Sequence, residues 1–260
     1  MNPLLDPLAK PVIGHRGNRA HAPENTLESF AQAVAEGADA IEFDVHLAAD
    51  GIPVVIHDPT VTRTTGGTGD VARMTLSQLQ RLDAGAQFTR DAGHTFPYRN
   101  RGIRIPSLVE VLEKFPAIPL LIEIKNPLAA ASILEAIKSG QAQDRCLIDA
   151  LDSRALTPFA GTSVATGAAR SGVARLMADV LLRRDISRLP YRALCVPLNY
   201  RGLPLPIRRF ARIAPLHDCR VHVWPINDPS VAIELWNAGV NGIITDDPGL
   251  MLRARSQLSG

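Results

Sequence analysis

Cysteine is scarce in this chain, and the few cysteines lie too far apart to form one site. Cys146, Cys195 and Cys219 are the only three, and no two of them form a CxxC pair. An odd number without framework spacing does not indicate a disulfide scaffold. Two of them lie in apolar, strand-like segments, which favours buried free thiols. A metal site built from thiolates is therefore excluded.

The chain also lacks an excess of charge, a long apolar run and a leader-like start. Its 28 Lys and Arg residues against 26 Asp and Glu residues give a formal net charge of +2, which argues against nucleic acid as the default partner. No segment approaches the roughly 18 apolar residues of a membrane-spanning helix. The first residues show no basic segment followed by a long apolar one. We therefore expect a soluble, cytoplasmic protein without stable membrane insertion, whose oligomeric state the sequence leaves open.

The apolar content that is present predicts one large folded unit. The chain has 260 residues, 46% of them hydrophobic, which is enough for a substantial core. Eight strand-like segments alternate with helical periodicity, beginning near residues 12, 41, 120, 147, 165, 194, 221 and 243. Alternating strands and helices indicate a parallel sheet, and eight repeats in this length predict a (β/α)₈ TIM barrel. We expect a single domain over residues 1–260.

Two additions to the barrel are predicted. Asp50-Gly51 has the composition of a tight turn, and the apolar segment 52–56 runs back from it, so a β-hairpin should follow the second strand. Residues 59–106 lose regular periodicity and are rich in threonine, glycine and polar residues. A connection of this length is usually functional. We interpret it as an insertion near the site.

Polar residues recur where the predicted strands end, which is where TIM barrels carry their active sites. Glu42 and Asp44 are two residues apart and should face the same side of a strand. The returning strand of the hairpin brings His57 towards them. Glu123 and Lys125 share a face in the same way on a later strand. Further polar or aromatic residues at strand ends are His15, Arg16, Trp224 and Asp246.

Three of these residues form a candidate metal site. Glu42, Asp44 and Glu123 supply the hard oxygen ligands that Ca²⁺ and Mg²⁺ prefer. The histidines at positions 15 and 57 keep zinc open, but three carboxylates favour a harder ion. The sequence thus predicts one divalent cation, Ca²⁺ or Mg²⁺.

The remaining residues of the group suit a phosphoester. Arg16 and Lys125 add positive charge that complements a phosphate oxygen. His15 and His57 are left for proton transfer, one at the nucleophile and one at the leaving oxygen. Together with a metal ion, they predict metal-assisted phosphoester chemistry.

The chain resembles the glycerophosphodiester phosphodiesterases in the order and combination of its motifs. The matching segments are His15-Arg16-Gly17, Pro23-Glu24-Asn25-Thr26, Ile41–Asp58, Arg63-Thr64-Thr65, Gly67-Thr68-Gly69, Ile105-Pro106-Ser107-Leu108, Ile122–Lys125, Val223-Trp224 with Asn227, and Gly242–Pro248. The likeness is dense over residues 12–125 and 221–248 and thin over about 145–220.

This resemblance implies a TIM barrel that hydrolyses glycerophosphodiesters to glycerol 3-phosphate and an alcohol. Attack comes either from a neighbouring hydroxyl of the substrate or from water. The implied roles are general acid–base catalysis by the two histidines, metal binding by the three carboxylates, and phosphate contacts from the two basic residues. Trp224 would form an apolar wall beside the glycerol moiety.

The sequence departs from the family pattern at two places. Pro225-Ile226 follows the tryptophan where Thr-Val is frequent, and proline removes a backbone donor. The serine-phenylalanine pair usual for the fourth barrel strand is missing from residues 149–170. We expect the chemistry to survive, with an atypical far side of the substrate pocket.

Other interpretations remain open at this point. A lysophospholipase D would use the same residues, with an apolar rim formed by residues 86–103 or 200–216. A catalytically silent barrel could serve as a binding scaffold, although the complete residue set counts against it. His46 shares a face with Asp44 and could line the site, whereas Asp246 and Asp247 are expected to cap the last loop or helix. Simple core filling is a strong competitor for Trp224.

Overall fold

The protein is described here by a computed structural model of residues 2–186 and 188–259. Its strands are β1 (Val12–His15), β2 (Ala40–Leu47), β3 (Pro53–Val55), β4 (Leu120–Ile124), β5 (Cys146–Asp149), β6 (Ala165–Thr166), β7 (Ala193–Pro197), β8 (Asn199–Tyr200), β9 (Leu203–Pro204), β10 (Arg220–Trp224) and β11 (Gly242–Thr245). Its helices are α1 (Leu27–Ala35), α2 (Thr62–Thr65), α3 (Leu76–Leu79), α4 (Leu108–Lys114), α5 (Ala130–Ser139), α6 (Arg170–Leu181), α7 (Ile207–Ile213), α8 (Pro229–Asn237) and α9 (Pro248–Ser256).

Eight parallel strands form the barrel in the order β6-β5-β4-β2-β1-β11-β10-β7. A single parallel bridge between Gly167 and Ala193 brings the two ends of this sheet together. Arg192 N–H donates to the carbonyl of Thr166 at 2.8 Å, and Ala168 N–H donates to that of Ala193 at 2.9 Å. The predicted (β/α)₈ barrel is confirmed, including all eight predicted strand positions.

The hairpin and the insertion form one packed unit on the barrel. β3 pairs antiparallel with β2, as predicted for the return strand. The segment 59–106 contains α2 and α3 and buries its own apolar cluster against Val54 and Ile56 of the hairpin, including Val61, Val71, Leu79, Ile103 and Ile105. Hydrophobic burial therefore orders a segment that has little regular structure.

Capping side chains fix where several helices begin. Thr26 accepts a hydrogen bond from Ser29 N–H at the start of α1, and Ser107 forms a reciprocal capping box with Glu110 before α4. Asp247 accepts from Leu250 N–H at the start of α9. The last helix was not identified from the sequence beyond this capping residue.

The bottom of the barrel is closed by the segment that precedes β1. Leu4 is fully buried among inward-facing residues of the strands, including Ile13, Leu121 and Leu147. Its carbonyl lies 2.9 Å from Nε2 of His222, which is itself fully buried. A Cβ at Gly242 would lie 2.2 Å from the ring of His222, so only glycine leaves room for the imidazole there.

Within the described residues, we find no helix with the length and apolar character needed to cross a bilayer.

The buried imidazole at the barrel bottom predicts acid-sensitive stability. Burial lowers the pKa of His222 from 6.5 to about 4. Because the native pKa lies below that of an unfolded histidine, the unfolded chain binds more protons between these pH values, and stability falls as pH drops through this window. The loss from pH 6.5 to 4 should be on the order of 3 kcal/mol. Urea unfolding midpoints at successive pH values measure it.

His222→Gln should flatten this pH dependence, because glutamine does not titrate. His94→Gln, at an exposed histidine, is the matched control and should keep the native pH dependence. An unchanged pH dependence in His222→Gln would contradict the assignment.

Candidate functional site

The site lies at the carboxyl ends of the barrel strands and follows from side-chain alternation. Every second residue of a strand faces the interior. In β4, Leu121 and Glu123 face inward, whereas Ile122 packs in the outer core. Below this polar layer the interior is mostly apolar, with the buried imidazole of His222 at the barrel bottom as an exception. The acidic side chains of the site gather at the open end of the barrel.

Three carboxylates converge there from two neighbouring strands. Glu42, Asp44 and Glu123 each place one oxygen within 4.8 Å of the others. Asp44 and Glu123 occupy matching positions on β2 and β4. Glu42 is 5% exposed and Asp44 is 1% exposed, so little water screens their repulsion.

Two cationic side chains offset part of this negative charge. Lys125 Nζ lies 2.8 Å from both Asp44 Oδ1 and Glu123 Oε1, and Arg16 Nε lies 3.2 Å from Asp44 Oδ2. Burial raises the pKa of Asp44, but Lys125 and Arg16 outweigh it and hold that pKa below its usual value. Burial and the charge of Asp44 raise the pKa of Glu42 well above its usual value.

The loop after β1 contacts the carboxylates through two residues with left-handed backbone conformations. Arg16 and Asn25 both have a left-handed backbone, with φ of 54° and 58°, which is uncommon outside glycine and marks functional strain when it is held by its surroundings. Arg16 N–H donates to Glu42 Oε2 at 3.0 Å, and Asn25 Nδ2 donates to Asp44 Oδ2 at 2.9 Å. The strained loop thus orients two of the three carboxylates.

His15 at the end of β1 is held by an aspartate at the end of β11. Its Nδ1 lies 2.6 Å from Asp246 Oδ1. Although burial raises the pKa of Asp246, the hydrogen bond from His15 and the charge of Arg19 outweigh it and keep the pKa below its usual value. An ionised carboxylate only accepts, so Nδ1 carries the proton and Nε2 is left free for chemistry.

His57, which follows the return strand β3, has the same arrangement. Its Nδ1 lies 2.6 Å from Asp58 Oδ1, and Asp58 Oδ2 accepts from Arg63 Nε at 2.6 Å. The hydrogen bond from Arg63 lowers the pKa of Asp58. His46 Nε2 lies 3.0 Å from the backbone carbonyl of His57 and supports the loop.

A chain of ion pairs joins the residues around His57 to the carboxylate cluster. Arg63 NH1 and NH2 each donate to Glu24 at 2.8 Å, and Glu24 also accepts from Arg16 NH1 at 2.8 Å. The network therefore runs from Asp58, through Arg63, Glu24 and Arg16, to the carboxylate of Asp44. It ties the insertion to the loop after β1.

Most of the acidic, basic and histidine side chains described above line one cavity of about 170 Å³. Its lining combines the polar groups above with an apolar floor and comprises His15, Arg16, Glu42, His57, Leu121, Glu123, Lys125, Asp149, Leu151, Cys195, Trp224 and Ile244. Asp149 stands out because burial, followed by the charge of Glu123, raises its pKa to about 8.

The structure brings every predicted site residue to this end of the barrel. Trp224 lines the cavity and also packs against the interior core. Pro225 lies just beyond the end of β10, and Ile226 N–H still donates to the carbonyl of Ile244 at 2.9 Å, so the missing donor disrupts no ladder. The three cysteines are free and buried, as expected.

Several residues of the site were missed from the sequence. Asp246 holds His15 and does not act as the helix cap, which Asp247 provides. Glu24, Asn25 and Arg63 were noted only within motifs, although Glu24 joins three arginines. His46 supports His57 from behind and is absent from the cavity lining.

Known proteins of one kind are similar to this chain along most of its length. A model of the glycerophosphoryl diester phosphodiesterase family matches residues 15–250. A glycerophosphodiester phosphodiesterase of Caldanaerobacter subterraneus is 33% identical over 249 residues, spanning 93% of this chain and 96% of that protein.

Solved structures agree with this match. An Oleispira antarctica phosphodiesterase, in complex with the product sn-glycerol-3-phosphate, has a TM-score of 0.77 at 27% identity and covers 95% of this chain and 96% of its own. A glycerophosphodiester phosphodiesterase from Thermotoga maritima has a TM-score of 0.71 at 26% identity, covering 93% of this chain and 96% of its own.

Proposed function

Since the chain belongs to the glycerophosphoryl diester phosphodiesterase family, we propose that it hydrolyses glycerophosphodiesters to glycerol 3-phosphate and an alcohol. It is an enzyme of the phosphodiesterase class. The observation that carries the proposal is the meeting of three carboxylates, two basic side chains and two aspartate-held histidines around one cavity.

One divalent cation, Ca²⁺ or Mg²⁺, is proposed to bind Glu42, Asp44 and Glu123. The three oxygens within 4.8 Å of one another form an all-oxygen donor set, which fits a hard cation. The Nζ atom of Lys125 lies 2.8 Å from two of these carboxylates, and this pairing supports a preference for positive charge at the position. When bound, the ion would stabilise negative charge that develops on the phosphate oxygens.

His15 and His57 are proposed to move the protons. Each has its Nδ1 held 2.6 Å from an aspartate, which orients the ring and leaves Nε2 for the substrate. They come from different strands, β1 and the end of the hairpin, so one can accept the proton of the attacking hydroxyl while the other donates to the leaving oxygen. Either a substrate hydroxyl or water can be the nucleophile in this arrangement.

Arg16, Lys125 and Trp224 are proposed to bind the substrate. The two cationic groups border the carboxylates and the cavity, where they complement a phosphate oxygen. Trp224 presents an aromatic surface to the same cavity, which suits the carbon chain of glycerol.

One observation favours lysophospholipids as a second class of substrate. Exposed leucines occur on the segments that follow β4, β5 and β7: Leu128 is 76%, Leu151 is 49% and Leu203, in the β8–β9 hairpin, is 68% exposed. Leu151 also lines the cavity. Its carbonyl accepts from Arg170 N–H at 3.1 Å, and the guanidinium of Arg170 lies 5.6 Å from the Tyr200 ring beside the β8–β9 hairpin. An acyl chain could pack along such a rim.

Hydrolysis of glycerophosphocholine, followed as release of glycerol 3-phosphate, tests the proposal. Activity should disappear after EDTA treatment and return with Ca²⁺ or Mg²⁺, because the carboxylate site needs a hard cation. Lysophosphatidylcholine is assayed in parallel. Turnover of the lysophospholipid alone would move the assignment to the second class, and no turnover of either with any ion would favour a silent scaffold.

Replacing the histidines tests their roles. His15→Ala and His57→Ala should each lower kcat by roughly 10²-fold or more, the usual scale for a general acid or base. Asp246→Ala should lower kcat about 10-fold and alter the pH profile, since it acts only by holding His15. His94→Ala, at an exposed position, is the control. Near-normal kcat in both histidine variants would reject the assignment.

A further inference from the structure

One carboxylate in the cavity has no part in the chemistry described above. Asp149 ends β5, and its Oδ1 is buried without a hydrogen-bond partner among the residues that the structure describes. A buried polar atom left unpaired costs free energy, so such an atom in a native protein calls for an explanation. Oδ1 itself is shielded, but Asp149 as a whole is half-buried and lines the cavity, so its carboxyl group is within reach of a bound ligand.

The neighbouring strand leaves room for this carboxylate. A Cβ at Gly167 would lie 2.4 Å from Asp149 Oδ1 and 3.3 Å from its Cγ, so any larger residue would displace the side chain. Gly167 lies directly after β6, where its N–H donates to the carbonyl of Ile148 at 2.7 Å. The missing side chain at Gly167 thus leaves the space that the Asp149 carboxylate occupies.

The carboxylate stands apart from the proposed cation ligands. Its oxygens are not among those that converge within 4.8 Å, although it occupies the position on β5 that matches Glu123 on β4. The cavity lining also contains the apolar side chains Leu121, Leu151, Trp224 and Ile244 and the thiol of Cys195. Asp149 is thus a carboxylate that lies outside the three converging ones, in a cavity that also has apolar walls.

A hydroxyl group is the ligand chemistry that suits such a position. A hydroxyl both donates and accepts, so it pairs with a carboxylate or with a carboxylic acid. The glycerol moiety of a glycerophosphodiester carries hydroxyls next to a short carbon chain, which matches one polar group set among apolar ones.

We propose that Asp149 binds a hydroxyl of the substrate's glycerol moiety and thereby selects glycerol-bearing phosphodiesters. The proposal rests on the proposed function, because it names a residue for the substrate of that reaction. A substrate that lacks this hydroxyl would bind more weakly, because the Asp149 carboxyl group would then have no hydrogen-bond partner.

Kinetics with two substrates tests this role in the metal-loaded enzyme. Asp149→Ala should raise the KM for glycerophosphocholine about 10-fold or more. The KM for bis(p-nitrophenyl) phosphate, which has no glycerol, should change by less than about threefold. Choline carries its hydroxyl only in the ester bond, so the affected hydroxyl must belong to glycerol. Asp149→Asn, which retains a donor and an acceptor, should restore most of the affinity.

Two more variants separate positioning from general damage. Gly167→Ala should reproduce the selective loss, since its Cβ displaces the Asp149 carboxylate. Asp144→Ala, at an exposed aspartate, should behave as the unchanged protein. Equal losses for both substrates, or none in Asp149→Ala, would overturn the proposal.

Binding of product decides the question without turnover. Glycerol 3-phosphate should bind the unchanged protein more tightly than inorganic phosphate, and Asp149→Ala should remove most of that difference. Failure of the unchanged protein to hydrolyse glycerophosphocholine would contradict the proposed function alone. Equal binding of glycerol 3-phosphate and inorganic phosphate by the unchanged protein would overturn the role of Asp149.

Discussion

The mutual repulsion of three carboxylates is the constraint on which the rest of the site depends. Glu42 and Asp44 are buried, and Glu123 reaches the same place from the next strand. Like charges at such separations repel strongly where water is excluded. The chain offsets this with Lys125, the guanidinium of Arg16 and hydrogen bonds from nearby N–H groups. A cation would complete that compensation.

The barrel supplies rigidity, and the loops supply the groups that orient the chemistry. Pairing of the parallel strands β2 and β4 fixes the carboxylates relative to one another. Asp246, just after β11, positions His15, and Asp58, the next residue in the chain, positions His57. The ion-pair chain through Glu24 and Arg63 joins the loop after β1 to the insertion. Each reacting group is thereby held by a second residue, as precise chemistry requires.

Strand periodicity was sufficient to predict the fold and most of the site. Glu42, Asp44 and Glu123 could be identified because residues two apart share a face and because barrel sites lie at strand ends. The pairing of His15 with Asp246 spans 231 positions, and that of Glu24 with Arg63 spans 39. Such contacts depend on tertiary geometry, so local patterns indicated the residues but not their partners. The place of Asp149 in the cavity could not be predicted, since the room for its carboxylate depends on the glycine that directly follows the neighbouring strand.

The thermal unfolding midpoint of the metal-stripped protein tests the central claim most directly. If the carboxylates form a cation site, Ca²⁺ or Mg²⁺ at about a hundred times its dissociation constant should raise the midpoint by about 5 °C or more. Glu123→Gln should reduce that rise, because it removes one of the three charged ligands. Equal midpoints with and without either ion would contradict the account.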